Sequence, residues 1–207
     1  MKKCDTRSIS GKTITFVLGT KSNVLDCHRV RLYLVTPMPH KYLLKEFEEF
    51  ARSAPAPDAM MQRVSQRIYL HIPRYNWVGF YLIDKMDSST LVLGPHTGSF
   101  APKPKISWSE GLCGSAAANR RVVVADNVAE EPRYIQASDL VKSQISVPML
   151  AGNKTLGVFN VESYFMSTFK PAHEREFVEA CAKIVGKCFA RTASPDLVNA
   201  AFSIANG

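Results

Sequence analysis

Three features of the sequence predict an α+β fold. Two segments of helical period come first, at 40–51 and 58–71. Strand-like segments follow in hairpin-like pairs, at 77–93 and 144–162. One long helical segment then closes the pattern after Pro171. Helices, then antiparallel strands with inserted loops, then a helix is an α+β order rather than an alternation of βαβ units.

The first helix, 40–51, carries Leu43, Leu44, Phe47 and Phe50 on one face. Ala54-Pro55-Ala56-Pro57 breaks it, and Asp58 is placed to cap the second helix. That helix runs to about His71 with Met61, Val64 and Ile68 as its stripe, and Pro73 ends it. A strand at 77–84 meets the turn Asp87-Ser88-Ser89 and pairs with a strand at 90–93. Gly and Pro positions around Phe100 mark 94–104 as a loop. After the Gly111-Leu112-Cys113-Gly114 turn, 115–119 is a short helix and 121–125 a buried-type strand. Residues 127–139 read as a polar loop containing Pro132. Strands 144–150 and 155–162 flank Gly152-Asn153, a strong hairpin signal. Pro171 opens the long helix at its favoured first-turn position, with Phe177, Cys181, Ile184, Val185 and Cys188 on one face. After Ser194-Pro195 the helical stripe weakens. The expected organisation is a basic arm at 1–37, a domain at 38–191 and a tail at 192–207.

The arm has strand-like runs at 13–18 and 30–35, with no helix or hairpin signal linking them. It reads as a disordered arm or as an extension preceding a true start at Met38, which N-terminal sequencing of native protein tests. Of the net charge of +8, the arm holds +5. A basic arm on a nearly neutral domain does not make a nucleic-acid-reading face, so nucleic acid is not the expected partner. No apolar run is long enough to span a bilayer, and no signal-type run follows Lys2, Lys3 and Arg7. The expectation is a cytoplasmic protein with no membrane partner.

Five cysteines, with no CxxC pair and no Cys/His ligand spacing, support neither a disulfide framework nor a zinc site. Cys181 and Cys188 lie about 10.5 Å apart along their helix, too far to bridge. Neither metal nor cofactor is expected. Cys113 alone stands where a helix N-terminus could lower its pKa. The other reading is a small buried residue admitted by a tight turn.

Five motifs follow one another in fixed order: Asn76-Trp77-Val78-Gly79-Phe80-Tyr81-Leu82, Leu93-Gly94-Pro95, Gly111-Leu112-Cys113-Gly114, Ser146-Val147-Pro148, and Gly157-Val158-Phe159-Asn160-Val161-Glu162-Ser163. Together, over roughly residues 41–190, they resemble a GAF domain and, among GAF domains, the free methionine-(R)-sulfoxide reductase type. The resemblance implies a central antiparallel sheet with helices packed on one face and ligand-covering loops on the other. It also implies a reductase chemistry of three thiols, in which a nucleophilic cysteine is resolved by a second and the disulfide is reduced by thioredoxin. Cys113 matches the third cysteine. Ala137 falls where the nucleophile is expected, and 99–105, the region of the resolving cysteine, contains none.

The carboxylates that hold the substrate's ammonium fall by the same resemblance on Gln144, Asn160 and Glu162, so two of three are amides here. A charge-assisted hydrogen bond contributes about 1.5–3 kcal/mol against about 1 for a neutral one. Two such losses weaken an ammonium ligand on the order of tenfold to a thousandfold. Trp77 and Tyr81 stand on one strand face and wall a pocket or a core. Tyr134 joins the candidate ligand-binding residues. Gln144 and Asn160 face either ligand or sheet partners, and Glu162 is either a site residue or a solvated charge. His96 reads as a loop histidine, Asp126-Asn127 as a turn, and Arg120-Arg121 as solvated.

The first functional reading is a small-ligand-binding or sensory module, inactive in the usual thiol chemistry, with an amino-acid-like and less cationic ligand. The second is a reductase using Cys113 alone with an external thiol. The third is a redox sensor through Cys113. A homodimer is compatible with the resemblance, since GAF domains often pair through helices.

Overall fold

The computed structural model describes residues 39–152 and 154–204, with side chains through Arg191, and the backbone of two short strands before them. The chain divides into two units, Met1–Thr36 and Pro37–Gly207. In the first unit, β1 (Ser8–Ile9) pairs antiparallel with β2 (Lys12–Thr13). The runs 14–18 and 30–35 lie outside the described residues.

The second unit is a six-stranded antiparallel sheet with α1 (Pro39–Ser53), α2 (Pro57–His71), α3 (Gly111–Asn119) and α4 (Ala172–Ile204). Its strands are β3 (Trp77–Ile83), β4 (Thr90–Gly98), β5 (Lys105–Ser107), β6 (Val123–Ala125), β7 (Ser143–Ala151) and β8 (Lys154–Ser163). The order across the sheet is β5-β4-β3-β8-β7-β6.

Period-two alternation decides which residues meet. Val78 and Phe80 of β3, Ile145, Val147 and Met149 of β7, and Phe159 and Val161 of β8 point to one face. There they pack on Leu43 and Phe47 of α1, Met60, Met61, Val64 and Ile68 of α2, and Phe177, Cys181, Val185 and Cys188 of α4. Each fully buried large apolar side chain contributes about 1.5–3 kcal/mol. Glu46 of α1 accepts Arg63 at 2.9 Å and Arg67 at 2.8 Å, tying α1 to α2. The intervening residues of the same strands, Trp77, Tyr81 and Val158, face the other way with Leu91, Ile106, Cys113, Ala116 and Ala117.

Three expectations change. The segment 94–104 is not all loop, because β4 continues to Gly98, which pairs with Trp77, and β5 adds an edge strand. Pro95 is tolerated because the β3–β4 register shifts between Gly79 and Tyr81, a bulge that needs no ladder N–H from it. Helix α3 begins at Gly111 rather than residue 115, so Cys113 lies in its first turn. Gly111 has φ 65, and a Cβ on Gly114 would lie 2.2 Å from the Ser107 carbonyl oxygen. Glycine at both positions lets α3 start sharply and press against the backbone at the end of β5.

The expected α+β architecture is present: α1, α2 and α4 cover one face of the antiparallel sheet, and the covering loops lie on the other, together with the short α3. Its run of small residues, Gly114 to Ala118, allows that close approach. Helix α4 continues through Ile204, past the Ser194-Pro195 step. Among the described residues no helix is long and apolar enough to cross a membrane.

Candidate functional site

The face opposite the three-helix layer holds a small cavity. Its floor and walls are Tyr81, Ile106, Leu112, Cys113, Gln144, Asn160 and Glu162. The loops around Pro102-Lys103 and Ile135-Gln136-Ala137 close over it. Gln144 faces Glu162 across the β7–β8 ladder, and Ser146 faces Asn160. Residues 144, 146, 160 and 162 therefore share one face by strand period alone. The cavity encloses about 40 Å³. That is room for a few waters, each needing at least about 10–15 Å³. A larger ligand enters only if the two covering loops move outward.

The floor is a one-way chain of hydrogen bonds. Gln144 Nε2 donates to Asn160 Oδ1 at 2.8 Å and to Ser146 Oγ at 3.0 Å. Ser146 Oγ donates to Asn160 Oδ1 at 2.8 Å, and Asn160 Nδ2 donates to Glu162 Oε1 at 2.9 Å. Glu162 Oε2 ends the chain, buried and with no partner among the described residues. Burial pushes the Glu162 carboxyl up to about 7, against the lowering effect of the Asn160 hydrogen bond. The solvated-charge reading of Glu162 is therefore incorrect: the residue is 5% exposed.

Cys113 Sγ lies 3.5 Å from Ser146 Oγ and 3.7 Å from Gln144 Nε2. Burial pushes its thiol up to about 12, opposed by the Ser146 hydrogen bond and reinforced by the nearby Glu162 charge. Desolvation overrides any help from the start of α3. Cys181 and Cys188 are buried in the core on the far face of the sheet.

Tyr81 lines the cavity, but its hydroxyl donates to the Lys103 carbonyl at 2.9 Å, which latches the Pro102-Lys103 loop down. Lys103 Nζ is bound to Glu110 Oε2 at 2.7 Å, tying the same loop to α3. Burial also pushes the Tyr81 phenol upward.

Of the residues expected at the site, Tyr81, Cys113, Ala137, Gln144, Asn160 and Glu162 come together. Trp77 and Tyr134 do not line the cavity. Trp77 is fully buried against Gly79 and Gly98, where a Cβ would come within 2.4 Å and 2.3 Å of its ring, and it stacks on His96 and Phe100. Strand parity places it on the correct face, and the two glycines then draw its ring flat onto the sheet. Tyr134 packs in a separate cluster with Leu112, Ala125, Val128 and Val141. His96 lies on β4 rather than in a loop, exposed, with Nδ1 3.0 Å from the Gly94 carbonyl oxygen. Sequence reasoning missed Ser146, which the same parity from Gln144 would have found. It also missed Ile106, Lys103 and Gln136, for which no local signal exists. Among the described residues no group of three or more His, Cys, Asp or Glu could hold a metal ion.

The GAF domain family profile matches residues 54–189. The free methionine-R-sulfoxide reductase of Saccharomyces cerevisiae is 34% identical over 113 residues, covering 54% of this chain and 62% of that protein. This chain thus spans less than two thirds of the yeast relative's length. Protein ZMO0507 of Zymomonas mobilis is 32% identical over 144 residues, covering 69% of this chain and 84% of that one. The X-ray structure of free methionine-R-sulfoxide reductase from Neisseria meningitidis, in complex with its substrate, superposes with a TM-score of 0.69 at 28% identity. That match covers 74% of this chain and 91% of the other.

Proposed function

The chain belongs to the GAF domain family and is homologous to the free methionine-R-sulfoxide reductases, and from that premise we propose that it is a small-ligand-binding or sensory module that does not run their thiol cycle. The observation that carries this is the state of Cys113. Its sulfur is buried in the floor network and its thiol is pushed up to about 12, so almost none is thiolate near neutral pH. Ala137, at the position where the resemblance expects the attacking cysteine, lines the cavity and carries no thiol. Neither Cys181 nor Cys188 can resolve an intermediate there, because both lie across the sheet.

What remains is a pocket with a polar floor. Cys113, Gln144, Asn160 and Glu162 form that floor, Tyr81 is a wall, and Ala137 leaves space under the covering loop. Its ligand is a small, amino-acid-like molecule bound with less cationic selectivity than three carboxylates would impose. Tyr42 on α1 is 64% exposed, and Tyr69 and Leu70 of α2 are partly exposed. These side chains give a helix-mediated homodimer apolar surface, which sedimentation tests. A cytoplasmic location fits the same reading.

Incubation of the purified chain with free methionine-(R)-sulfoxide and dithiothreitol tests the proposal. The expected result is no methionine above the protein-free control. Turnover that disappears in Cys113→Ser would establish the one-cysteine reductase instead.

A further inference from the structure

The sheet has two edge strands, β5 and β6, each three residues long, and their edges differ. The β5 edge is guarded. Pro102 and Pro104 precede the strand, and Lys105 at its start is tied to Asp84 at 3.0 Å. Proline and lysine are devices that keep an edge from pairing with another chain. At β6 the run is Arg121-Val122-Val123-Val124-Ala125, with neither proline nor lysine. Its ladder to β7 is regular, with Val123 opposite Ser146, Val124 opposite Ile145 and Ala125 opposite Gln144. Alternate residues of a strand turn their N–H and C=O groups to opposite sides, so part of the β6 main chain points away from β7. Among the described residues Val123 to Ala125 make no further backbone hydrogen bond.

Open space lies beside that edge. A groove of about 610 Å³ runs along Val122, Val123 and Val124, walled by Ser115 and Asn119 of α3 and by Arg133. A second, of about 260 Å³, starts at Val122 and runs over Val147 and Pro148 to Lys183 of α4. The valines divide between the two sheet faces: Val122 and Val124 pack against the three-helix layer, and Val123 packs on the α3 side. A strand laid against β6 therefore meets apolar neighbours on one face and the polar side chains of Ser115, Asn119 and Arg133 on the other. The charge of the longer groove is one-sided. No carboxylate lines it. Arg133 is offset by Glu131 at 2.8 Å, whereas Arg121, exposed at the head of β6, has no ion-pair partner among the described residues. The second groove sets a single acid, Glu179, against Arg120 and Lys183.

We propose that the free edge of β6 is a docking site for an extended, acidic segment of another protein, which pairs with β6 and lengthens the sheet by one strand. Main-chain hydrogen bonds to β6 supply the affinity. An acidic side chain against Arg121, and apolar and polar side chains alternating between the two faces, supply the selectivity. Charge favours an acidic partner over a second copy, because each copy carries a net +8 and would bring a second Arg121 to the same edge. The site lies outside the Gln144–Glu162 cavity and does not depend on that cavity holding a ligand.

The test uses the full chain and a fluorescein-labelled peptide, acetyl-Glu-Thr-Val-Thr-Val-Glu-amide, with a glutamate at each end so that either strand direction meets Arg121. Anisotropy titration should show saturable binding that weakens with added salt. Arg121→Glu, melting at the wild-type temperature, should weaken it about threefold to tenfold. Two further probes carry N-methyl groups on alternate residues, in opposite phase. One phase should abolish binding and the other leave it unchanged, because only one set of peptide amides faces β6. Hydrogen exchange of the β6 amides should slow when the unmethylated probe is bound. No saturable binding, equal effects of the two methylation phases, or undiminished binding to Arg121→Glu would each overturn the proposal. Sedimentation of the free chain as a dimer that the probe dissociates would assign the edge to a second copy and overturn it likewise.

Discussion

Replacing Glu162 by Gln should make the protein more stable at alkaline pH and leave it little changed at acid pH. In the folded chain the carboxyl is shifted from its ordinary 4.5 to about 7, mainly by burial. At about 1.4 kcal/mol per tenfold, holding it ionised costs the fold about 3 kcal/mol. The sign follows from proton counts. Between about pH 4.5 and about 7 the folded chain keeps a proton that the unfolded chain has lost, so stability falls as pH rises through that window and then levels off. The substituted amide never ionises, and its Oε1 can still accept from Asn160. For a chain of this size each kcal/mol moves Tm by about 2–4 °C, so the Tm of Glu162→Gln minus that of wild type should grow by about 6–12 °C between about pH 4.5 and about pH 8. Thermal melts followed by circular dichroism across that range measure it. A difference that stays constant with pH would show that Glu162 does not titrate there, and the electrostatic description of the pocket floor would fail.

Three further outcomes follow from the packing. Cys113, with its thiol at about 12, should react with a thiol reagent at about pH 8 at least about a thousandfold more slowly than free cysteine, and normally once unfolded. Rapid native labelling, located by mass spectrometry, would favour the redox-sensor reading. Phe80→Ala removes a fully buried ring stacked on Phe159 at 4.6 Å and should cost about 3–5 kcal/mol in urea unfolding. A loss below about 1 kcal/mol would mean that the three-helix layer does not close on β3 as described. Gly114→Ala puts a methyl group 2.2 Å from the Ser107 carbonyl oxygen and should cost about 1–3 kcal/mol by forcing α3 off the end of β5. A neutral result would refute that close approach.

Much of this was legible in the residues because period carries it. The stripe Leu43, Phe47 in α1 and the alternation Val158, Asn160, Glu162 in β8 assign faces without any knowledge of the partner element. The gathering of Gln144, Asn160 and Glu162 into one floor follows from the same alternation, once the Gly152 hairpin sets the register. What could not be read depends on contacts distant in sequence. Gly98 looks like loop punctuation until its pairing with Trp77 is seen. The burial of Cys113 depends on where α3 lands over β7 and β8, and the start of α3 depends on Gly111 and on the Ser107 backbone beside Gly114. Lys103 enters the site because the Tyr81 hydroxyl holds its carbonyl and Glu110 holds its ammonium.

The central claim is that the cavity above Gln144, Asn160 and Glu162 is a ligand site and not a residual void. Native mass spectrometry of the gently purified chain, alone and titrated with free methionine-(R)-sulfoxide, tests it most directly when run beside Ala137→Trp, which should fill the cavity. One small molecule per wild-type chain, and none on a normally folded Ala137→Trp, is the predicted result. Equal adducts on both proteins, or none on either, would contradict it.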